Sequence, residues 1–329
     1  MPIIKFKIER TDRRGGGGSH QFYQAYDVMI VEGMTVLEAL RQIRERRDGT
    51  LAFRSSCRSA ICGSCAMMIN GFPKLACKTQ ALVEYRKRGR MVIAPLTNHT
   101  AIKDLIVDFD PFWKKMERIT PYLTSNAKGE GEAVKLTKED TAAIDSAQKC
   151  IMCGSCNAAC NALEIDRYYL APAALAKAWR FVGDAREKHR KKRLVKLSDE
   201  HGMWDCVRCV HCTEYCPKEV APLQAIERLR AEGMKAGVTD NHGAKHVEAM
   251  FNSVKRIGRL DEAAMTFKTL GFLRSIGKIP FGLKMEMHGK MPRPIIFPVI
   301  KGIKEVKTIY KEVEKGRKDK KKRERERKG

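Results

Sequence analysis

The chain has 329 residues, 43% of them apolar, and a net charge of +25. That length suits two ordinary domains and a tail, and that apolar share excludes a largely disordered polypeptide. No stretch approaches the roughly 18–20 uninterrupted apolar residues of a membrane-spanning helix, since Ile295 to Ile303 is broken by Pro298, Lys301 and Gly302.

Residues 3–10 (IIKFKIER) alternate apolar and polar like a half-buried strand, and Gln21 to Val31 reads as a second one. The intervening Gly15 to Gly18 reads as a hairpin tip, lacking the Lys-Ser/Thr of a phosphate-binding loop. Thr35 is expected to cap a helix to about Arg47, with Glu38 completing a capping box and Val36, Leu37, Leu40 and Ile43 on one face. A Pro-punctuated connector follows, from Pro95 to Pro121, and GEGEAVKLTKED marks a polar boundary near residue 130. From about 137 the signal is helical, opened by Thr137 and Asp140. The methionines of region 245–290 and beyond (Met250, Met265, Met285, Met287, Met291) read as core filler. A last helix carries Ile300, Ile303, Val306, Ile309 and Val313 on one side. Residues 301–329 hold 14 Lys/Arg against 6 Asp/Glu.

The twelve cysteines fall in three tight groups. MPIIKFKIERTDRR has no apolar signal core, which points to the cytoplasm, where thiols stay reduced. Metal is therefore the reading. Cys57, Cys62 and Cys65, with Cys77 further on, have the x4, x2 spacing of plant-type [2Fe–2S] ferredoxins. Cys150, Cys153, Cys156 and Cys160 repeat the spacing of Cys206, Cys209, Cys212 and Cys216, the run of bacterial two-cluster ferredoxins. In such runs the fourth cysteine serves the other cluster. Cys150, Cys153, Cys156 and Cys216 should hold one [4Fe–4S], and Cys206, Cys209, Cys212 and Cys160 a second. No thiol is left for catalysis, and no catalytic residue is assigned. Lys149, Arg208 and Lys218 flank the runs as candidate charges beside anionic clusters. The eight histidines show no ligand spacing. A nucleic-acid-binding zinc protein is disfavoured, because aromatics are only 7% and do not interleave with the basic runs.

This layout resembles the iron–sulfur subunit of succinate dehydrogenase and fumarate reductase. SCRSAICGSCAMMINGFPKLAC is similar to that family's first-cluster segment, and APLTNHTAIKDLIVDFDPFW to its connector. The resemblance covers about residues 1–230. It implies an α+β chain: an N-terminal β-grasp [2Fe–2S] domain (1–110), a connector (111–136) and an all-α two-cluster domain (137–240). A helical partner-docking extension (241–300) and a basic amphipathic tail (301–329) would follow. The implied function is electron transfer between the FAD of a flavoprotein subunit, which holds the dicarboxylate site, and a quinone-linked membrane anchor.

Members that reduce quinone directly normally lack a cysteine at the position of Cys209 and carry a [3Fe–4S] centre. They also place Pro and Trp after the first run and His after the first cysteine of the second, where this chain has Asn161, Ala162, Leu163 and Val207. The third centre is therefore expected to be [4Fe–4S], becoming [3Fe–4S] only if Cys209 is not a ligand. Beyond residue 245, FNSVKRIGRLDEAAM and KMEMHGKMP resemble the C-terminal part of the heterodisulfide reductase C subunit. That implies docking onto a heterodisulfide-reductase-B-like anchor, with a soluble thiol-coupled fumarate reductase as the alternative. The expected location is peripheral, on the inner face of the cytoplasmic membrane, with the tail contacting anionic lipid.

Overall fold

The structure, a computed structural model, describes residues 2–13, 19–124, 136–290 and 299–326. The glycine run at 15–18, the boundary near residue 130, Met291 and the basic side chains beyond Gly316 lie outside the described residues. The chain divides into two compact units, Met1–Ala236 and Gly237–Gly329.

The first unit opens with β1 (Ile3–Arg13) paired antiparallel to β2 (Ser19–Met29), with Phe6 opposite Tyr26. The alternation read in the sequence buries Ile4, Phe6 and Ile8. Helix α1 (Val36–Arg46) starts where expected: the Thr35 hydroxyl accepts from the Glu38 amide at 3.2 Å, and the Glu38 carboxylate accepts from the Thr35 amide at 2.7 Å. Its Val36, Leu37, Leu40 and Ile43 join the core of the sheet. Next come β3 (Ala66–Ile69), β4 (Phe72–Leu75), α2 (Ala81–Arg88) and β5 (Met91–Ala94). Asn70 and Gly71, at φ 53° and 85°, make the two-residue β3–β4 turn, the conformation that Asn-Gly favours. The sheet order is β2-β1-β5-β3-β4, with β5 parallel to β1 and the other pairs antiparallel. This is the β-grasp arrangement.

Arg10 ends the inward stripe of β1, and a buried cation needs partners there. It bonds Asp48 at 2.6 Å and Thr50 at 2.8 Å, and pairs with the buried Asp104 at 3.1 Å. Asp104 in turn accepts from the amides of Thr11 and Ala52. The charge network thus ties β1 to the start of the cysteine loop and to the strand connection near residue 104.

The proline-punctuated connector is more structured than its sequence suggested. It forms β6 (Ala101–Lys103), β7 (Ile106–Val107) and α3 (Asp110–Arg118), whose Pro111 sits in the first turn, where its missing N–H costs nothing. Lys115 then donates to the carbonyls of Arg167 and Tyr169, both at 2.5 Å. Buried Arg193 donates to the carbonyls of Ile119, Thr120 and Tyr122 and pairs with Glu187 at 2.8 Å.

The helical half of this unit contains α4 (Lys138–Gln148), α5 (Ser155–Ala158), α6 (Asn161–Ile165), α7 (Ala171–Val182), α8 (Arg190–Leu197), α9 (His211–Glu214) and α10 (Pro222–Lys235). Thr137 caps α4 with Asp140 as expected. Helix α7 is the centre: Ala171, Ala173, Ala174, Ala176 and Ala178 are all buried, and α3, α4, α5, α8 and α10 contact it. Small side chains let that many helices approach one axis.

The second unit consists of α11 (His242–Ile257), α12 (Glu262–Leu270), α13 (Phe272–Ile276), α14 (Ile279–Met287) and α15 (Ile303–Glu326). Phe251 meets Tyr310 edge-on at 4.8 Å. Here one expectation fails. Met250 and Met287 are exposed, and Met265 and Met285 are only half-buried, so they do not fill a core. The reason is local: α12 and α14 bury no residue at all, and short helices of this kind enclose too little volume for long side chains. On α15, Ile309 and Val313 are likewise exposed. Among the described residues no helix is long and apolar enough to cross a membrane.

Candidate metal centres

The first cysteine group lies on the loop between the end of α1 and β3, with Cys77 just after β4. Arg58, Ala60 and Gly63 take positive φ (56°, 56° and 75°), coiling the loop so that its amides turn inward. The Cys57 sulfur accepts from the amides of Ser59, Ile61 and Cys62 at 3.2–3.4 Å. The Cys77 sulfur accepts from the Ala60 amide at 3.2 Å, and the Cys65 thiol interacts with Cys77 and Cys62. All four thiols are thus brought together. The Ser64 hydroxyl, 3.1 Å away, is the main cause holding the Cys62 thiol down at about 6, whereas burial pushes Cys65 up to about 12. A loop that aims amide donors at sulfur suits thiolates carrying metal charge.

The two later runs share one backbone course. Each has a left-handed residue before its second cysteine (Met152, φ 54°; Arg208, φ 58°) and another just after it (Gly154, φ 80°; Val210, φ 71°). Each then makes a one-turn helix, α5 or α9, carrying the third cysteine, and these two helices touch. Val210 is β-branched and disfavours that region, so its conformation is imposed by its surroundings.

One small cavity is lined by Cys150, Cys153, Cys156 and Cys216, together with Ala173, Ala176, Val220 and Pro222. A second is lined by Cys160, Cys206, Cys209 and Cys212, together with Tyr169, Leu223 and Ile226. The fourth cysteine of each run therefore sits with the first three of the other. Burial pushes the thiols of Cys150, Cys153 and Cys156 upward, Cys160 up to about 11 and Cys212 up to about 12. Thiols in such apolar surroundings ionise only when a cation compensates them, and a metal does so by displacing the protons. The donor sets fit three thiolate-ligated iron–sulfur clusters, whose chemistry is one-electron transfer.

The [2Fe–2S]-type loop and the first run are in direct contact. A Cβ added at Gly63 would lie 2.7 Å from the Cβ of Cys153 and 3.3 Å from the carbonyl of Ile151. Only glycine permits both the positive φ and that approach. The side chain of Asn98 donates to the carbonyls of Asn157 and Cys160 (2.9 and 3.0 Å), and Thr97 to that of Ala158 (2.7 Å), fixing the end of the first run on the sheet half.

The flanking charges named from sequence are placed unevenly. Lys149 is exposed and pairs with Asp145 at 2.9 Å, Arg208 is exposed, and Lys218 lines the first cavity. Sequence reasoning missed Arg230 on α10. It is 7% exposed and donates to the carbonyls of Met203, Trp204 and Cys206 at 2.8–2.9 Å, holding the entry to the second run. Nothing in the spacing signals a residue 24 positions from the cysteine it supports. His201 also gains company unseen in the sequence, hydrogen-bonding Asp166 at 2.7 Å with Asp205 close by.

The profile described as "2Fe-2S iron-sulfur cluster binding domain" matches residues 5–114, and that described as "4Fe-4S dicluster domain" matches residues 146–220. The 8-methylmenaquinol:fumarate reductase iron-sulfur subunit of Wolinella succinogenes is 33% identical over 296 residues, covering 88% of this chain and 91% of that protein. The fumarate reductase iron-sulfur subunit of Escherichia coli is 34% identical over 236 residues, covering 71% and 95%. The Wolinella match runs into the unit that begins at Gly237, which the shorter match need not do. In fold, the chain is similar to a chain of the Mycobacterium smegmatis Sdh1 complex, with a TM-score of 0.61 at 23% identity over 70% of this chain and 97% of that one. With its cysteine groups gathered in this way, the chain belongs to the family of succinate dehydrogenase and fumarate reductase iron–sulfur subunits, the electron-transfer subunits of these oxidoreductase complexes.

Proposed function

We propose that the chain is a three-centre wire between a flavoprotein subunit, holding FAD and the dicarboxylate site, and a quinone-linked anchor. The observation that carries this reading is the gathering of all twelve cysteines into three sets of four, two of them sharing cysteines across the repeated runs. Cys57, Cys62, Cys65 and Cys77 would hold [2Fe–2S]. Cys150, Cys153, Cys156 and Cys216 would hold one [4Fe–4S], and Cys160, Cys206, Cys209 and Cys212 the other. The contact of Gly63 with Cys153 supports direct passage between the first two centres.

The acceptor side is read from the second unit. Phe272, Leu273, Phe281, Leu283 and Met287 are exposed apolar side chains on α13 and α14, more than a chain acting alone would leave in water. A heterodisulfide-reductase-B-like subunit is the partner proposed for that face. The Wolinella relative supports a quinol-linked complex, since that protein is the iron-sulfur subunit of an 8-methylmenaquinol:fumarate reductase. A soluble thiol-coupled fumarate reductase is the second reading, favoured by the resemblance of the same unit to heterodisulfide reductase C. The subunit would sit peripherally on the inner membrane face through its partners, with the basic tail touching anionic headgroups at about 1 kcal/mol per Lys or Arg. Deletion of residues 315–329 should weaken binding to phosphatidylserine vesicles at low salt and leave iron content intact; undiminished vesicle binding would remove the tail's role.

The wire itself is tested by iron analysis and EPR on the anaerobically purified chain. About 2 + 4 + 4 irons and no oxidised [3Fe–4S] signal are expected. Zinc in place of iron, or iron sufficient for a single cluster, contradicts the assignment.

A further inference from the structure

The two pseudo-equivalent cavities differ in their polar lining: Lys218 is at the first and Tyr169 at the second. The hydroxyl of Tyr169 is buried, its residue is 1% exposed, and it has no hydrogen-bond partner among the described residues. Tyr169 lines the cavity of Cys160, Cys206, Cys209 and Cys212, whereas the hydroxyl nearest the first set, that of Ser155, already lies 3.3 Å from the Cys153 sulfur. Buried hydroxyls without an acceptor are rare, and each calls for a reason.

The side chain is held where it is. The Tyr169 amide donates to the Asp166 carbonyl at 3.2 Å, and its carbonyl accepts from Lys115 at 2.5 Å. The next amide, that of Leu170, donates to the His201 carbonyl at 2.8 Å. Tyr169 shares its cavity with Cys160, Cys206 and Cys212. Arg230 directs its guanidinium at the Met203, Trp204 and Cys206 carbonyls, leaving a buried positive charge beside the same cavity.

We propose that Tyr169 is a positioning residue for the third centre: its hydroxyl donates a hydrogen bond to sulfur of the cluster held by Cys160, Cys206, Cys209 and Cys212 and, with Arg230, favours its reduced form. The inference rests on the ligand assignment made above. The acceptor it supplies resolves the orphaned hydroxyl. A donor and a positive charge both stabilise sulfur more strongly as the cluster gains an electron, because negative charge on the sulfur then increases. The first set has a hydroxyl of its own, that of Ser155, 3.3 Å from the Cys153 sulfur, so the Tyr169 hydroxyl acts on the third centre alone.

The test is a potentiometric EPR titration of the full, cluster-loaded chain and its Tyr169→Phe variant, which keeps the ring and removes only the oxygen. At the wild-type midpoint of the third centre, its oxidised-to-reduced ratio should shift about tenfold toward oxidised, which is 59 mV for a one-electron couple. The other two centres should keep their midpoints. The coupling of the reduced third centre to a proton exchangeable in D2O, read by ENDOR, should disappear in the variant. A shift smaller than about twofold, or an exchangeable coupling that survives in the variant, overturns the proposal. A wild-type chain without a second cubane would overturn the ligand assignment instead, and that is seen before the variant is made.

Discussion

Cys209→Ala should remove about one iron per chain and give the oxidised protein a [3Fe–4S] EPR signal that persists without air exposure. Cys209 lines the same cavity as Cys160, Cys206 and Cys212 but is half-exposed, while Cys160 and Cys212 are buried. A cubane missing one thiolate loses the iron at that corner, and a half-exposed corner leaves that iron a way out. The three remaining thiolates keep their places, because Cys160 is held through its carbonyl by Asn98 and Cys206 through its carbonyl by Arg230. The potential of that centre is expected to change, since cluster type is one of its determinants. Unchanged iron content with no new signal would show that Cys209 is not a ligand, and the family's usual three-iron arrangement would replace the one proposed.

Gly63→Val should both destabilise the first unit and slow transfer between its first two centres. Gly63 has φ 75°, and a Cβ there falls 2.7 Å from the Cys153 Cβ and 3.0 Å from its Cα. A β-branched residue in the left-handed region costs about 1–2 kcal/mol, and overpacking against neighbours that cannot yield adds about 1–3 kcal/mol. Neither neighbour can yield readily, since both belong to loops fixed by ligand cysteines. The combined cost of about 2–5 kcal/mol corresponds to a melting temperature lower by roughly 5–15 °C for a unit of this size. Where the chain still folds, the two loops must separate, and reduction of the first cubane after rapid reduction of the [2Fe–2S] centre should slow. A melting temperature within about a degree of wild type, with undiminished transfer, would show that the contact carries neither stability nor passage.

The parts of the fold that the sequence disclosed are those governed by neighbours close in the chain. The period-two burial of Ile4, Phe6 and Ile8 and the capping boxes at Thr35 and Thr137 depend on spacings of two to three residues. The clustering of cysteines was equally visible, because repeated runs have local geometry. What stayed hidden depends on long-range placement. Arg193, which anchors the connector carbonyls some 70 residues away, resembles any other basic residue in a helix reading RKKRLVKL. Arg230 and Tyr169 acquire meaning only when α10 and the segment before α7 meet at one cavity. The methionines of the second unit failed differently. A helical spacing says which side of a helix is apolar, not whether this chain supplies what covers it.

The exchange of fourth cysteines between the two runs bears on how the protein matures. When Cys150, Cys153, Cys156 and Cys160 have emerged from the ribosome, neither cubane cavity has its full complement, because Cys216 closes one and Cys206, Cys209 and Cys212 make most of the other. The [2Fe–2S] loop, complete by Cys77, has no such dependence. On the ligand sets proposed above, metal delivery would be divided in time: an early centre complete by Cys77, and a later pair complete only once Cys216 has been made. On those same sets, a chain that ends before Cys212 could carry at most the first centre.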